Sequence, residues 1–367
     1  MSGRPGKIQV ALIFGGRSPE HAISCLSAGS ILGAIDRDAY EVVAVGIARD
    51  GRWLLLPDDP DALQIRGRDL PEVTAGQTVA LSNDPAERGL RVFDGAADGV
   101  GQLAHVDVVF PVLHGEQGED GTIQGLLEIV GLPYVGAGVF ASAAAMDKEF
   151  TKKLLAVEGL PVGEYHVLRP GEGAELDDAQ RARITLPAFV KPARAGSSIG
   201  ITKITDWSQL DNAVASAREI DSKVLIEAGV AGREIECGIL DENGAPGEPR
   251  VIRASLPAEI KVLHGHDWYD FEAKYLDDAC EFDVPADLPA EITDQIQDFA
   301  VRAFRALDGR GLARVDFFVT GAGEVIINEV NTMPGFTPIS MYPRMWEASG
   351  IPYAELIDRL IRSALAD

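Results

Sequence analysis

The chain has 367 residues, more than one compact domain needs and comfortable for two or three. Apolar residues make up 46% and charged residues 25%, the balance of a soluble globular protein. The formal charge of −24 argues against nucleic acid or an anionic membrane surface as partner, and any bound polyphosphate would have to be neutralised locally by a few placed cations.

Residues 7–14 form a β-rich run ending in Gly15-Gly16. The run is too short to span a bilayer and reads as a first strand, so a cytoplasmic protein is expected. A helical pattern follows over about 19–35, with Pro19 suited to a first-turn position, and then a strand over 41–48. This β-α-β opening predicts a parallel sheet with covering helices. The Pro-, Gly- and Asp-rich stretch 51–101 reads as an insertion with short strands. A continuous apolar strand over 106–113 ends at His114-Gly115; 121–130 is a helix, and 141–157 holds at least one more.

The character changes near Asp147. Short strands follow Pro161, among them 188–191 and 199–204 on either side of a Gly-Ser loop. A helix is expected over 209–219 with Asp206 as N-cap, then a strand over 224–227 leading into a glycine-containing linker, 228–232. Strands dominate from Arg233 to a helix at 290–307, and two strands and a helix at 353–364 finish the chain. These changes divide it into 1–146, 147–226 and 227–367. Residues 257–278 carry Gly, His, Trp and Tyr with little periodicity and read as a lid loop. Cys25, Cys237 and Cys280 have no metal-ligand spacing; an odd, low count suggests a reducing compartment and buried small hydrophobes. His264 and His266 stand two apart but read as solvated loop residues, so no histidine metal site is expected.

The most informative segment runs from 311 to 335. Strand-like runs at 312–319 and 324–330 flank Thr-Gly-Ala-Gly, a hairpin signal. Side chains alternate along a strand, so Arg314 and Asp316 share one face, as do Glu329 and Asn331. If Val319 pairs with Glu324, Arg314 lies opposite Glu329 and Asp316 opposite Ile327, and all four polar groups project on one side, barring a bulge. Glu329 is then diagonal to Asp316, at roughly 7–8 Å. Two carboxylates and an amide oxygen are hard ligands that suit Mg²⁺ beside phosphate oxygens. The plainer alternative is a solvated outer face with an Arg–Glu pair. Flanking Phe317, Phe318, Val325 and Ile326, and the Asn-Thr-Met-Pro-Gly turn that follows, favour a site.

Lys191 closes a strand just before Ala-Arg-Ala-Gly-Ser-Ser-Ile-Gly (193–200). Its glycines permit close backbone approach, and consecutive N–H groups can nest an anion. The loop lacks the Lys-Ser/Thr ending of a P-loop and opens no helix, so alone it could be a plain hairpin turn. Lys148 heads a helix in Met-Asp-Lys and alone could be a solvated surface lysine.

Together these segments resemble the ATP-grasp superfamily and, within it, the D-alanine–D-alanine ligases, over nearly the whole chain. The resemblance rests on Gly15-Gly-Arg-Ser-Pro-Glu20, His114-Gly-Glu-Gln-Gly-Glu-Asp-Gly-Thr-Ile-Gln-Gly125, Met146-Asp-Lys148 and Lys191-Pro through Gly200. It continues with Glu227 to Glu234, Tyr269-Asp-Phe-Glu-Ala-Lys-Tyr275, Arg314-Val-Asp316, Glu329-Val-Asn331 and Pro334-Gly335 to Ser340. It implies an α/β (α+β) ATP-grasp fold in three domains: an N-terminal Rossmann-like parallel-sheet domain, then two α+β subdomains clasping ATP.

The implied activity is ATP-dependent joining of two D-alanines through a D-alanyl phosphate, for peptidoglycan precursor synthesis, with two Mg²⁺ (or Mn²⁺) and a homodimeric enzyme. By the same resemblance, Lys148, Lys191 and Lys274 contact ATP phosphates, with Ser197 and Ser198 closing over them. Glu227 and Val230 meet the adenine and Glu234 the ribose, while Asp316, Glu329 and Asn331 hold the metal ions. Glu20, with Ser197 and Tyr275, receives the first D-alanine's ammonium, and His114 lies near that substrate. Arg314 and the Gly335 N–H stabilise the oxyanion; Ser340, with Met341 beside it, binds the second substrate. Tyr275 goes with an amine nucleophile rather than D-lactate. Ala228 and Ala195 depart from some members, where a lysine and an acidic residue stand. The rival readings are a D-Ala–D-Lac or other carboxylate–amine ligase, a small-molecule kinase on the same scaffold, and a non-catalytic nucleotide-binding module.

Overall fold

The computed structural model describes residues 6–84, 86–93, 102–244, 247–262 and 280–366. Strand β1 (Ile8–Gly15), helix α1 (His21–Ala34) and strand β2 (Tyr40–Ile47) form the expected β-α-β unit. The region read as an insertion with short strands does hold them, β3 (Trp53–Leu55), β4 (Gln77–Leu81) and β5 (Gly89–Phe93), and with β6 (Gln102–His105) they extend the same sheet from β2 as an antiparallel wing. β7 (Val108–Val112) returns to the far side of β1, parallel to it, completing seven strands in the order β6-β5-β4-β3-β2-β1-β7.

β1 is apolar at every inner position because both its faces are covered. Val10, Leu12 and Phe14 face α1, while Ala11 and Ile13 face the other core, with α2 (Thr122–Val130). Cys25 is buried on α1, as expected.

Two helices, α3 (Val139–Met146) and α4 (Lys148–Val157), occupy the next stretch. Asp147 separates them in an extended conformation, and its side chain accepts from Glu149 N–H as the N-cap of α4. β8 (Tyr165–Leu168), α5 (Asp178–Arg183), β9 (Ala188–Pro192), β10 (Thr202–Ile204), α6 (Leu210–Arg218) and β11 (Val224–Ala228) follow. Their sheet is antiparallel in the order β10-β9-β11-β8. Asp206 caps a 3-10 turn at Trp207–Gln209 that feeds α6, rather than capping the α-helix itself.

β12 (Gly232–Glu242), β13 (Val251–Ala254), β14 (Ala258–Val262), β15 (Cys280–Asp283), α7 (Ala290–Ala306), β16 (Leu312–Thr320) and β17 (Val325–Asn331) build the third sheet, ordered β15-β14-β12-β16-β17 with β13 on β12. α8 (Met341–Ala348), not foreseen from the sequence, precedes α9 (Tyr353–Leu365). Leu356, Ile357, Leu360 and Ile361 of α9 pack into the same core as α1, so the end of the chain completes the first sheet's interior. Tyr40 Oη donates to Asp358 at 2.6 Å across that junction.

The β16–β17 register differs from the expected one. Val319 pairs with Val325 and Phe317 with Ile327, but Asp316 pairs with Glu329 and Arg314 with Asn331. Asn328 is the extra residue of a bulge, and the bulge reverses the alternation. Without it, Glu329 would share the buried side of Val325 and Ile327. With it, Glu329 and Asn331 swing to the face of Arg314 and Asp316, and Val330 takes the buried side. All four polar groups share one face, as expected, but Asp316 and Glu329 face each other directly instead of diagonally.

Candidate active site

A cleft of about 550 Å³ runs between the second and third sheets. Phe189, Val230, Phe318 and Ile326 give it apolar walls. Lys148, Lys191, Ser197, Ser198, Glu227, Glu234, Asp316 and Glu329 give it charge. Every described residue assigned to ATP from the sequence lines this cleft; Lys274 and Tyr275, with most of the expected lid, lie outside the described residues.

The cationic wall is built on α4 and β9. Lys191, next to last in β9, places Nζ 2.5 Å from Glu227 Oε2. Lys152, one helical turn beyond Lys148, points the same way, 3.4 Å from Glu227 Oε1. Sequence reasoning passed over Lys152; its only signal was the four-residue spacing from Lys148. Burial pulls the Lys148 and Lys152 ammonium groups below the usual lysine range, against the opposing pull of Glu329 and Glu227. Lys148 Nζ donates to the Ala195 carbonyl at 2.7 Å and sits 3.8 Å from Glu329 Oε2, so this one side chain touches both the Gly-Ser loop and the carboxylate ribbon. In the loop, Ser197 and Ser198 both adopt left-handed φ, 49° and 58°, a costly conformation for residues with a Cβ and one found at ligand clamps.

On the opposite wall, Arg314 grips Asp316 with two hydrogen bonds, Nε to Oδ1 at 2.7 Å and Nη2 to Oδ2 at 2.8 Å. Asn331 Nδ2 donates to Asp316 Oδ2 at 3.0 Å, and Glu236 approaches Arg314 Nε at 3.2 Å from β12. Burial alone would weaken the guanidinium's charge, but Asp316 and Glu236 hold it firmly protonated. Among the described residues no group of three or more His, Cys, Asp or Glu side chains is placed to hold a metal. The third donor here is the amide of Asn331, and two facing carboxylates plus an amide remain a hard-oxygen set suited to Mg²⁺.

A second cluster adjoins the loop. Ser197 Oγ donates to Glu20 Oε1. Gly115, at φ +78°, lies against the same group: a Cβ there would come within 2.8 Å of Ser18 Oγ and 3.1 Å of Glu20 Oε2. His114 Nδ1 donates to the Met333 carbonyl at 3.1 Å, which leaves the lone pair on Nε2; that atom is buried without a hydrogen-bond partner among the described residues. Burial holds the ring below its ordinary range. Glu119, also missed from sequence, accepts from Gly115 N–H at 2.7 Å, and burial beside Glu20 pushes its carboxyl up to about 8. Gly335 stands against Ser340, whose Oγ a Cβ would approach to 3.0 Å. Ser340 Oγ is held by Thr337, 3.1 Å from its N–H and 2.8 Å from its hydroxyl. Met341 is buried with Ala258 and Met345.

Residues 9–137 match the family profile described as D-ala D-ala ligase N-terminus, and residues 154–362 match D-ala D-ala ligase C-terminus. The chain belongs to the D-alanine–D-alanine ligase family. A relative from Rhodococcus opacus, a D-alanine–D-alanine ligase, is 59% identical, covering 98% of this chain and 97% of its own. Among solved structures, the D-alanine-D-alanine ligase from Coxiella burnetii matches with a TM-score of 0.80 at 35% identity, over 98% of this chain and 96% of that one. The VanG D-Ala:D-Ser ligase from Enterococcus faecalis matches with a TM-score of 0.81 at 32% identity, over 97% and 99%. The multidomain ATP-grasp architecture and ligase class expected from the sequence are borne out. Ser197 lines the cleft and also donates to Glu20, so the two clusters meet at this one side chain.

Proposed function

We propose that this chain joins two D-alanines into D-alanyl-D-alanine for peptidoglycan precursors, driven by ATP through a D-alanyl phosphate. The observation that carries the reading is Lys148, in contact with the anion-binding loop on one side and the carboxylate ribbon on the other. A carboxylate is a poor acyl donor because oxide would have to leave; phosphorylation supplies a good leaving group. Phosphoryl transfer asks the protein for position and charge rather than covalent chemistry. Lys148 and Lys191 supply that charge, and Ser197 and Ser198 present the loop's backbone. Asp316, Glu329 and Asn331 are the residues that would hold divalent ions, two Mg²⁺ or Mn²⁺, whose chemistry is to neutralise charge building between the phosphates.

Glu20 anchors the first D-alanine's ammonium, with Ser197 fixing its carboxylate. The second amine attacks the acyl carbonyl, phosphate departs, and Arg314 with the Gly335 N–H offsets the oxyanion between those events. Ser340, held by Thr337 beside Gly335, suits a second-substrate carboxylate. Glu227 and Val230 take the adenine and Glu234 the ribose. Lys274 and Tyr275 complete the phosphate and amine contacts in this reading. Among the described residues no helix is long and apolar enough to cross a membrane; a cytoplasmic homodimer agrees with this reading.

A second reading changes only the second substrate, since one structural neighbour is a D-Ala:D-Ser ligase. ADP release with D-alanine, L-alanine, D-serine and D-lactate tests both. Release and dipeptide formation with D-alanine well above the others is expected; equal turnover of L-alanine overturns the stereochemical claim.

A further inference from the structure

Lys152 is only 2% exposed, a burial that lysine rarely tolerates. Its Nζ lies 3.4 Å from Glu227 Oε1 and 5.8 Å from the centre of the Tyr165 ring. Glu227 pairs with Tyr165 on one side and Phe189 on the other, so an aromatic ring flanks its carboxylate in each neighbouring strand. Phe189, Val230, Phe318 and Ile326 line the same cleft, the apolar surroundings a flat base needs. Glu227 Oε1 is buried, yet it has no hydrogen-bond partner among the described residues. A buried acceptor left open in a ligand cleft asks for a donor from the ligand.

We propose that Lys152 sets base specificity: it holds Glu227 as an ionised, acceptor-only carboxylate whose Oε1 takes a hydrogen bond from the amino group of adenine and repels the carbonyl of guanine. Adenine offers an amino donor at the position where guanine offers an oxygen acceptor. Lys191 lines the same cleft, 2.5 Å from Glu227 Oε2, and in the ATP reading the phosphates draw it away from that carboxylate. Lys152 then remains as the counter-ion. The inference rests on the ATP reading of this cleft.

A merely structural lysine predicts something different. Lys152→Met leaves Glu227 its 2.5 Å pair with Lys191, so without nucleotide the carboxylate keeps a counter-ion and methionine at 152 fills the lysine's volume. ADP and GDP binding by calorimetry, without any amino acid, is the test. With Lys152→Met, ADP affinity and the ADP-over-GDP preference each fall by about tenfold or more, as expected for losing a charge-assisted hydrogen bond. Lys152→Arg retains the preference. An unchanged preference in Lys152→Met, or an equal loss for both nucleotides, overturns the proposal. Should that variant not fold, the neutral pair Lys152→Met/Glu227→Gln serves: its amide can turn a donor toward guanine, so the preference collapses, and a retained preference overturns the proposal. Because no amino acid is present, failure of the D-alanine reading leaves this result intact, and the reverse holds too.

Discussion

Helix α4 carries two ionic assemblies on adjacent faces, and they differ in how well they are closed. Glu149 and Lys153 belong to a knot. Glu149 accepts from Lys153 and Arg169, each at 2.7 Å, and from Lys223 at 3.0 Å, while Lys223 also reaches Asp147 at 2.5 Å. Lys148 and Lys152, each one residue earlier, face the cleft and stand 3.8 and 3.4 Å from their carboxylates. The knot has spent its donors on fixed partners. These two pairs are loose and line an open volume. On this helix, hydrogen-bond closure rather than burial separates the knot from the two cleft-facing lysines; Lys191, which reaches the same cleft from β9, keeps a tight partner in Glu227. In a chain of net charge −24, the cleft pairs also keep a group of cations and acids mutually neutral until a polyphosphate competes for the cations.

The sharpest way to break this contrast is Lys148→Met. Loss of a cation at the phosphates should lower kcat/KM by about 10²–10³-fold, with the melting temperature nearly unchanged. Steady-state ADP release and calorimetry check it; a large drop in stability with intact turnover would reverse the two roles. Next in size, Glu149→Gln should cost on the order of 3 kcal/mol at neutral pH while kcat changes little, because it opens the knot. Burial alone would raise the Glu149 carboxyl, but hydrogen bonds from Lys153, Lys223 and Arg169 hold it down at about 2, below its ordinary 4.5. A depressed carboxyl stabilises the fold above about 4.5 and loses that contribution as pH falls toward about 2. The gap in unfolding free energy between Glu149→Gln and the parent should therefore narrow over that window. A gap independent of pH would mean that the knot does not hold the charge.

Much of the site was legible because polar residues interrupt apolar strands. Arg314, Asp316, Glu329 and Asn331 stand out among Val315, Phe317, Val325 and Ile327, and their common face survives in the structure. The bulge at Asn328 was not legible, since an inserted residue leaves no mark on a pattern read by counting; the expected pairing was wrong while the expected face was right. Lys152 was hidden for another reason. A lysine four residues after another on an amphipathic helix looks solvated, and only its place beside Glu227 of β11 shows it to be buried. The antiparallel wing was obscured by Pro and Gly turns between its short strands, and α8 by the proline within it, Pro343.

In the proposed reaction the two walls bring a phosphoryl group to the first D-alanine's carboxylate. D-Alanine labelled with ¹⁸O in its carboxyl group tests this directly, read by mass spectrometry of the released phosphate. If the carboxylate attacks phosphorus and the second amine then displaces phosphate, each dipeptide formed delivers one ¹⁸O from the labelled carboxyl to inorganic phosphate. Unlabelled phosphate accompanying dipeptide formation would contradict the account.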